Sequence, residues 1–82
     1  MEVPIGKVIH YYDKAGVAVV TLTAPLKVGD RIKVKDRDRE WEQEIASMQV
    51  DRKPVNEGAA GSEVAVKVDN KAHEGALLVV EK

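Results

Sequence analysis

The chain has 82 residues, 13 of them basic and 14 acidic, which gives a formal net charge of −1, and it contains no cysteine. This length predicts a single domain, residues 1–82, near the lower limit for a self-sufficient core. The lack of cysteine excludes a disulfide framework, a thiolate metal site and a cysteine nucleophile. We see no leader sequence and no apolar run of membrane-spanning length, so we expect a cytoplasmic protein without membrane contact.

The hydrophobic pattern predicts six strands and no helix, at about residues 5–12, 17–23, 31–35, 40–45, 63–69 and 76–81. The core must come largely from Val, Ile, Leu and Ala, since Phe is absent and Trp41 is the single tryptophan. Pro25 prevents the second strand from continuing as a central strand. Because short strands without a covering helix expose sticky edges, we predict an all-β fold, a six-stranded closed barrel of the antiparallel type.

The third and fourth predicted strands form a hairpin about residues 36–39. Its register sets four pairs opposite each other: Arg31 with Glu44, Lys33 with Glu42, Val34 with Trp41, and Lys35 with Glu40. In this register the charged side chains pair on one face of the hairpin and the apolar side chains on the other, so a slip of one residue is disfavoured. Trp41 alternates with glutamates and is assigned to the core. A bulge near Ala46 and Ser47 would keep the apolar residues on either side facing inward.

Three elements recur in an order and spacing that resemble a known barrel. They are the Gly29-Asp30 turn before Ile32 and Val34, the run Ile45-Ala46-Ser47-Met48, and the series Val55, Ala59, Gly61 and Val64. Together they resemble the second, β-barrel domain of translational GTPases such as elongation factor Tu. A similar barrel occurs as the C-terminal domain of collagenase-like peptidases and as short stand-alone elongation-factor-like proteins. The length of the chain is most similar to that of the stand-alone proteins.

Departures from the translation-factor pattern limit what the resemblance implies about function. In elongation factor Tu, an acidic pair and an aromatic residue of the first barrel strand help to hold the aminoacyl end of tRNA. The matching positions are Gly6, Lys7 and Ile9, so we do not expect aminoacyl-tRNA capture. No Gly-x-x-x-x-Gly-Lys loop is present, and we therefore expect neither GTP nor any other cofactor. The run 70–73 is similar to a guanine-reading motif but lacks its carboxylate, and a solvated turn is the better interpretation.

Two basic features are candidates for a binding surface. The alternating cations of residues 31–39 face the glutamates of the next strand, which leaves Arg37 and Arg39 projecting at the hairpin tip. The second feature is a patch near Pro54, with histidine and tyrosine residues of the first strand as neighbours that could stack on bases. The candidate RNA or partner surface comprises Arg52, Lys53, Lys7, His10, Tyr11, Arg37 and Arg39. The alternative, a neutralised ladder and ordinary charged loops, stays open.

Catalytic and metal-binding patterns are weak. His10 and His73 lie far apart without ligand spacing around them, so we expect no metal site. Ser47 and Ser62 lie outside any nucleophile-elbow pattern, and the glutamates of the hairpin are predicted to be solvated. We therefore expect the chain not to be an enzyme.

Two functional interpretations remain. The first is a non-catalytic binding module that contacts RNA or a ribonucleoprotein through its basic surface residues. The alternative is a protein-interaction or accessory subunit for a separate enzyme, such as a peptidase-like partner. In that case the apolar last strand and an exposed arm at residues 3–5 would form the docking surface.

Overall fold

The structure is a computed structural model that describes residues 1–37 and 39–81, and all regular structure in these ranges is β. Asp38 of the predicted turn and Lys82 of the predicted domain lie outside the described residues. The strands are β1 (Glu2–Tyr12), β2 (Val17–Leu22), β3 (Leu26–Lys27), β4 (Arg31–Asp36), β5 (Arg39–Glu44), β6 (Met48–Val50), β7 (Lys53–Val55), β8 (Glu57–Gly58), β9 (Glu63–Lys67) and β10 (Leu77–Glu81). The described part holds no helix long and apolar enough to cross a membrane.

The predicted all-β class is confirmed, but the closed six-stranded barrel is wrong. Eight strands form one antiparallel sheet in the order β5-β4-β10-β1-β2-β9-β6-β7, and β3 pairs with β8 in a separate ladder. In this order the end strands β5 and β7 do not pair with each other, so the sheet stays open. The physical reason lies at residues 45–47, which do not belong to a strand. They connect β5, at one end of the sheet, to β6, which lies next to the strand at the other end.

A buried amide on the end strand β5 contacts a strand from the other half of the sheet. Gln43 on β5 is 4% exposed, and its Nε2 donates to the carbonyl of Lys67 at 3.0 Å. Its Oε1 accepts hydrogen bonds from the Asp69 backbone N–H and from Trp41 Nε1, both at 2.9 Å. The side chain therefore joins β5 to the end of β9, although these two strands are not paired in the sheet.

The core fills the concave side of the curled sheet. Its fully buried members come from alternate positions of neighbouring strands, as period-two strands require: Val8, Val20, Leu22, Val34, Val64, Val66 and Leu78. Gly58 lies where a Cβ would come within 2.8 Å of Val64 Cγ1, so glycine permits a close approach at this point. Trp41 is half-buried and packs against the core, in agreement with the prediction.

The predicted register of the central hairpin is confirmed at all four pairs. The predicted bulge after β5 is instead a break in the strand, although Ile45 and Met48 on either side of it are both buried. The arm at residues 3–5 is not a free segment, because Val3 and Pro4 pair with Val80 and Val79 of β10. The first and last strands are thus neighbours in the sheet.

Candidate functional site

The seven predicted surface residues do not form one surface in the structure. His10, Tyr11, Arg37 and Arg39 lie around the segment 69–76, which connects β9 to β10. Arg52 belongs to the turn between β6 and β7, and Lys53 begins β7. Lys7 is exposed on β1, where it lies opposite Leu77 and Thr21. The structure therefore offers two candidate regions and a separate lysine.

The first region is built on a buried carboxylate at the end of β4. Asp36 is 2% exposed, and its Oδ2 accepts a hydrogen bond from the backbone N–H of His73 at 3.1 Å. Nδ1 of the same histidine lies 2.7 Å from this oxygen. Since an ionised carboxylate can only accept, Nδ1 carries the proton and the other ring nitrogen, Nε2, is left for other partners. Asp36 thus fixes both the position and the ring orientation of His73.

The electrostatics of this pair favour the charged carboxylate. Burial alone would raise the pKa of Asp36, but the hydrogen bonds from the ring and the backbone of His73 lower it overall. The guanidinium of Arg39, 3.9 Å from Asp36 Oδ2, lowers the pKa further. Arg39 also donates to the carbonyl of Lys71 and lies 5.8 Å from the centre of the Trp41 ring. The end of β5 is therefore tied to the 69–76 segment.

A cleft of about 380 Å³ opens beside His73, and we call it the His73 cleft. It is lined by Tyr11, Asp13, Arg37, Lys71, Ala72, His73 and Glu74. Two of its acidic groups are already paired: Asp13 lies 3.5 Å from Lys71 Nζ, and Glu74 lies 3.4 Å from His10 Nδ1. A smaller cleft of about 150 Å³ lies next to it, between His73 and the hairpin tip.

The second region is a shallow groove of about 430 Å³ on the outer face of the sheet, which we call the outer groove. Its lining includes the half-buried side chains of Val17, Val19 and Ala65, together with Tyr12, which is 53% exposed. Arg52 also lines it from the turn between β6 and β7. The polar residues Gln49, Asp51 and Glu63 complete the lining. An apolar centre with a polar rim is typical of a protein-binding site.

The basic row of β4 is neutralised, as the ladder interpretation predicted, but partly by a residue that the sequence did not indicate. Lys33 Nζ lies 2.9 Å from Glu2 Oε2, and Lys35 contacts the other oxygen of the same carboxylate. The hydrogen bonds from Lys35, the larger effect, and from Lys33 lower the pKa of Glu2 to about 2. The same contact with Glu2 raises the pKa of Lys33. Arg31 pairs with Glu42 at 3.4 Å.

Sequence reasoning missed Asp36, Gln43 and Glu2, although two of them carried a signal. Asp36 has the same strand parity as Ile32 and Val34, and Gln43 has the parity of Ile45, so alternation alone predicts that both face inward. Glu2 carried no such signal, because it is 31 residues away from its partner Lys33. The described residues contain no group of three or more metal-ligating side chains.

The chain is 33% identical over 75 residues to an uncharacterized protease of Methanocaldococcus jannaschii. This match covers 90% of the chain but only 18% of the length of that relative. No protein-family model matches the chain.

The solved structures give the fold. Two crystal structures of the C-terminal domain of a Geobacillus thermoleovorans protein, described as a U32 peptidase, superpose with TM-scores of 0.85 and 0.84. Identity is 18% and 17%, and the alignments cover 93% and 90% of this chain and 96% and 86% of the two domains. The chain has the fold of these C-terminal domains. These matches support the resemblance to the C-terminal domain of collagenase-like peptidases. They give no support to the resemblance to translation factors.

Proposed function

We propose that the chain is a non-catalytic accessory module that binds the catalytic body of a peptidase-like protein. The observation that carries the proposal is the combination of 33% identity to a protease over 75 residues with a match to only 18% of that protein. The same fold is found as the C-terminal domain of a protein described as a U32 peptidase. In the M. jannaschii relative, the segment similar to this chain is therefore joined to a much larger part of the protein. A protein similar to that larger part is the partner that we propose.

The outer groove is the surface that we assign to this partner. Its apolar members Val17, Val19 and Ala65 project from strands that are paired on both sides, so their positions are fixed before binding. A preformed apolar surface loses little conformational entropy when it docks. The surface suggested by the sequence, residues 3–5 with the last strand, fits less well because Ile5 and Val79 are both 3% exposed.

The proposal that the module is non-catalytic rests on the surroundings of the Asp36–His73 pair. Such a pair can activate a serine, threonine or cysteine that lies within hydrogen-bond reach of the histidine. The described residues that line the two clefts beside His73 include no serine, threonine or cysteine. Ser62 Oγ, in turn, donates to the carbonyl of Ala59.

A binding experiment with the M. jannaschii relative tests this function. The remainder of that protein, expressed without its own matched segment, is titrated into the isotope-labelled chain and followed by NMR. We expect saturable shifts at the outer groove, and we expect Val19→Lys to weaken binding about tenfold or more because it places a charge in an apolar contact. Val28→Lys is the matched control, because Val28 is exposed and lies outside the groove.

The segment excised from the relative serves as the positive control for the titration. If that segment binds the remainder and this chain does not, the proposed function is wrong. Equal weakening by Val19→Lys and Val28→Lys would leave the accessory role but overturn the assignment to the outer groove.

The RNA-binding interpretation stays a prediction. Its candidate residues lie in separate regions, and most of the neighbouring cations have acidic partners, such as Lys71 with Asp13 and Lys33 with Glu2. Titration with bulk tRNA at two salt concentrations would test it, since phosphate contacts weaken steeply as salt increases.

A further inference from the structure

The His73 cleft contains one cation whose charge is not matched by the groups around it. Asp36 is paired with His73 and Arg39, Asp13 with Lys71, and Glu74 with His10. Arg37 lines both clefts beside His73, and among residues 1–37 and 39–81 its guanidinium has neither an ion pair nor a hydrogen bond. Within the described part of this site, the guanidinium of Arg37 therefore keeps its donors available for a ligand.

The hairpin turn places Arg37 next to His73. Asp36 pairs with Arg39 across the hairpin, and Arg37 takes a left-handed conformation with φ of 50°. Gly, Asn and Asp are the residues that adopt this conformation most readily, and a long cationic side chain is an unusual choice. Arg52 adopts the same conformation in another turn, with φ of 66°, so what distinguishes Arg37 is its place beside His73.

His73 provides a second donor in a fixed direction. Asp36 occupies Nδ1, the side chain is 42% exposed, and the ring lines the same two clefts as Arg37. When the ring carries a second proton, Nε2–H becomes a donor directed away from Asp36. The charged and titratable groups that face the ring are Asp36, Arg37 and Arg39 on the hairpin, Tyr11 and Asp13 on and after β1, and Lys71 and Glu74 on the connecting segment.

From this geometry we propose that the His73 cleft is an oxyanion-binding site, in which Arg37 and protonated His73 hold a carboxylate or phosphate group. A guanidinium is suited to this task because it can donate two parallel hydrogen bonds to one oxyanion. The Tyr11 hydroxyl and the Lys71 ammonium line the same cleft and complete a set of donors. The inference is independent of the proposed accessory function, since it concerns a different surface from the outer groove.

NMR titration of the labelled chain with three small probes tests the site. The probes are inorganic phosphate, an acetylated dipeptide with a free C-terminal carboxylate, and the same dipeptide as its amide. We expect saturable shifts at the Arg37 side chain and the His73 ring with at least one of the two anions, and none with the amide. Binding of phosphate alone assigns a phosphate ligand, and binding of the free dipeptide alone assigns a peptide carboxylate.

Two arginine variants distinguish a specific anion-binding site from nonspecific attraction of anions to exposed cations. Arg37→Gln should weaken anion binding about tenfold or more, because a charge-assisted bidentate contact is lost. Arg52→Gln is the matched control, since Arg52 is also an exposed arginine in a left-handed turn conformation, with φ of 66°. This variant should leave the affinity unchanged.

Several results would overturn the proposal. They are the absence of saturable shifts with both anions, equal binding of the amide, and equal losses in the two arginine variants. The ring nitrogens give a separate readout, because the bound state requires a proton on both Nδ1 and Nε2. A neutral His73 ring in the saturated complex would remove histidine from the site.

Discussion

At the scale of single residues, Gln43 makes three hydrogen bonds with one buried side chain. One buried side chain satisfies a carbonyl, a backbone N–H and an indole N–H that belong to three different residues, Lys67, Asp69 and Trp41. A buried polar group stabilises a fold when its polar atoms have partners, and both Nε2 and Oε1 of this amide are paired. It links β5 to the end of β9, and these two strands are not paired in the sheet.

Replacement of Gln43 by leucine should therefore be costly although leucine is apolar. Gln43→Leu leaves three polar groups without their partner, and we expect it to lower the free energy of unfolding by about 2–4 kcal/mol. Urea denaturation followed by tryptophan fluorescence measures the change. Gln49→Leu is the control because Gln49 is exposed, and it should change stability by less than about 0.5 kcal/mol. Equal losses in both variants would contradict the bridging role.

Residue parity explains which inward-facing polar groups a sequence can reveal. Asp36 and Gln43 occupy the same alternating positions as their buried apolar neighbours, so their burial could have been predicted from the sequence. Their charge and polarity had favoured exposure instead. The partners of these groups were not available, because His73 is 37 residues from Asp36 and lies outside any strand. Local patterns give the direction of a side chain, and only the fold brings distant groups to it.

At the scale of elements, β1 and β4 are linked through charge although they are not paired in the sheet. Glu2 at the start of β1 binds both Lys33 and Lys35 of β4 across the intervening β10. The hairpin register was predictable because it follows from one local turn and two alternating strands. The contact with Glu2 was not, since it depends on the position that β1 takes in the sheet.

The lowered pKa of Glu2 predicts an acid-dependent loss of stability. Its folded-state pKa of about 2 lies below the ordinary value of 4.5, so its contribution is present above about pH 4.5 and is lost as pH falls toward 2. Glu2→Gln should reduce the pH dependence of the free energy of unfolding within this window. Urea titrations at several pH values would measure it, with Glu63→Gln on β9 as an exposed control. An unchanged slope in Glu2→Gln would show that the two lysine contacts do not persist in solution.

At the scale of the whole molecule, residues 45–47 carry the chain from one end of the sheet to the other. The strands that they join, β5 and β6, are adjacent in sequence and far apart in sheet order. The predicted six-stranded closed barrel missed this arrangement, because local alternation does not distinguish a bulged strand from a broken one. The sequence indicated which side chains face inward at Ile45 and Met48, and left the topology open.

Circular permutation tests the importance of this crossover. Strands β1 and β10 are paired neighbours, so the two ends of this chain can be joined by a flexible linker of about four residues. New ends in the turn at residues 59–61 should preserve cooperative unfolding, because these residues are exposed and lie outside the strands. New ends within residues 45–47 should abolish it. Circular dichroism on heating compares the two, and equal melting of both permutants would contradict the role of the crossover.

The pairing of β1 with β10 has a further consequence for how such a fold is used in evolution. A domain whose entering and leaving strands lie side by side can be spliced into a surface loop of a host with little distortion, or appended to either end of it. Such a unit is portable between unrelated chains. Its transfer needs no redesign of the recipient, because both points of attachment emerge at the same place.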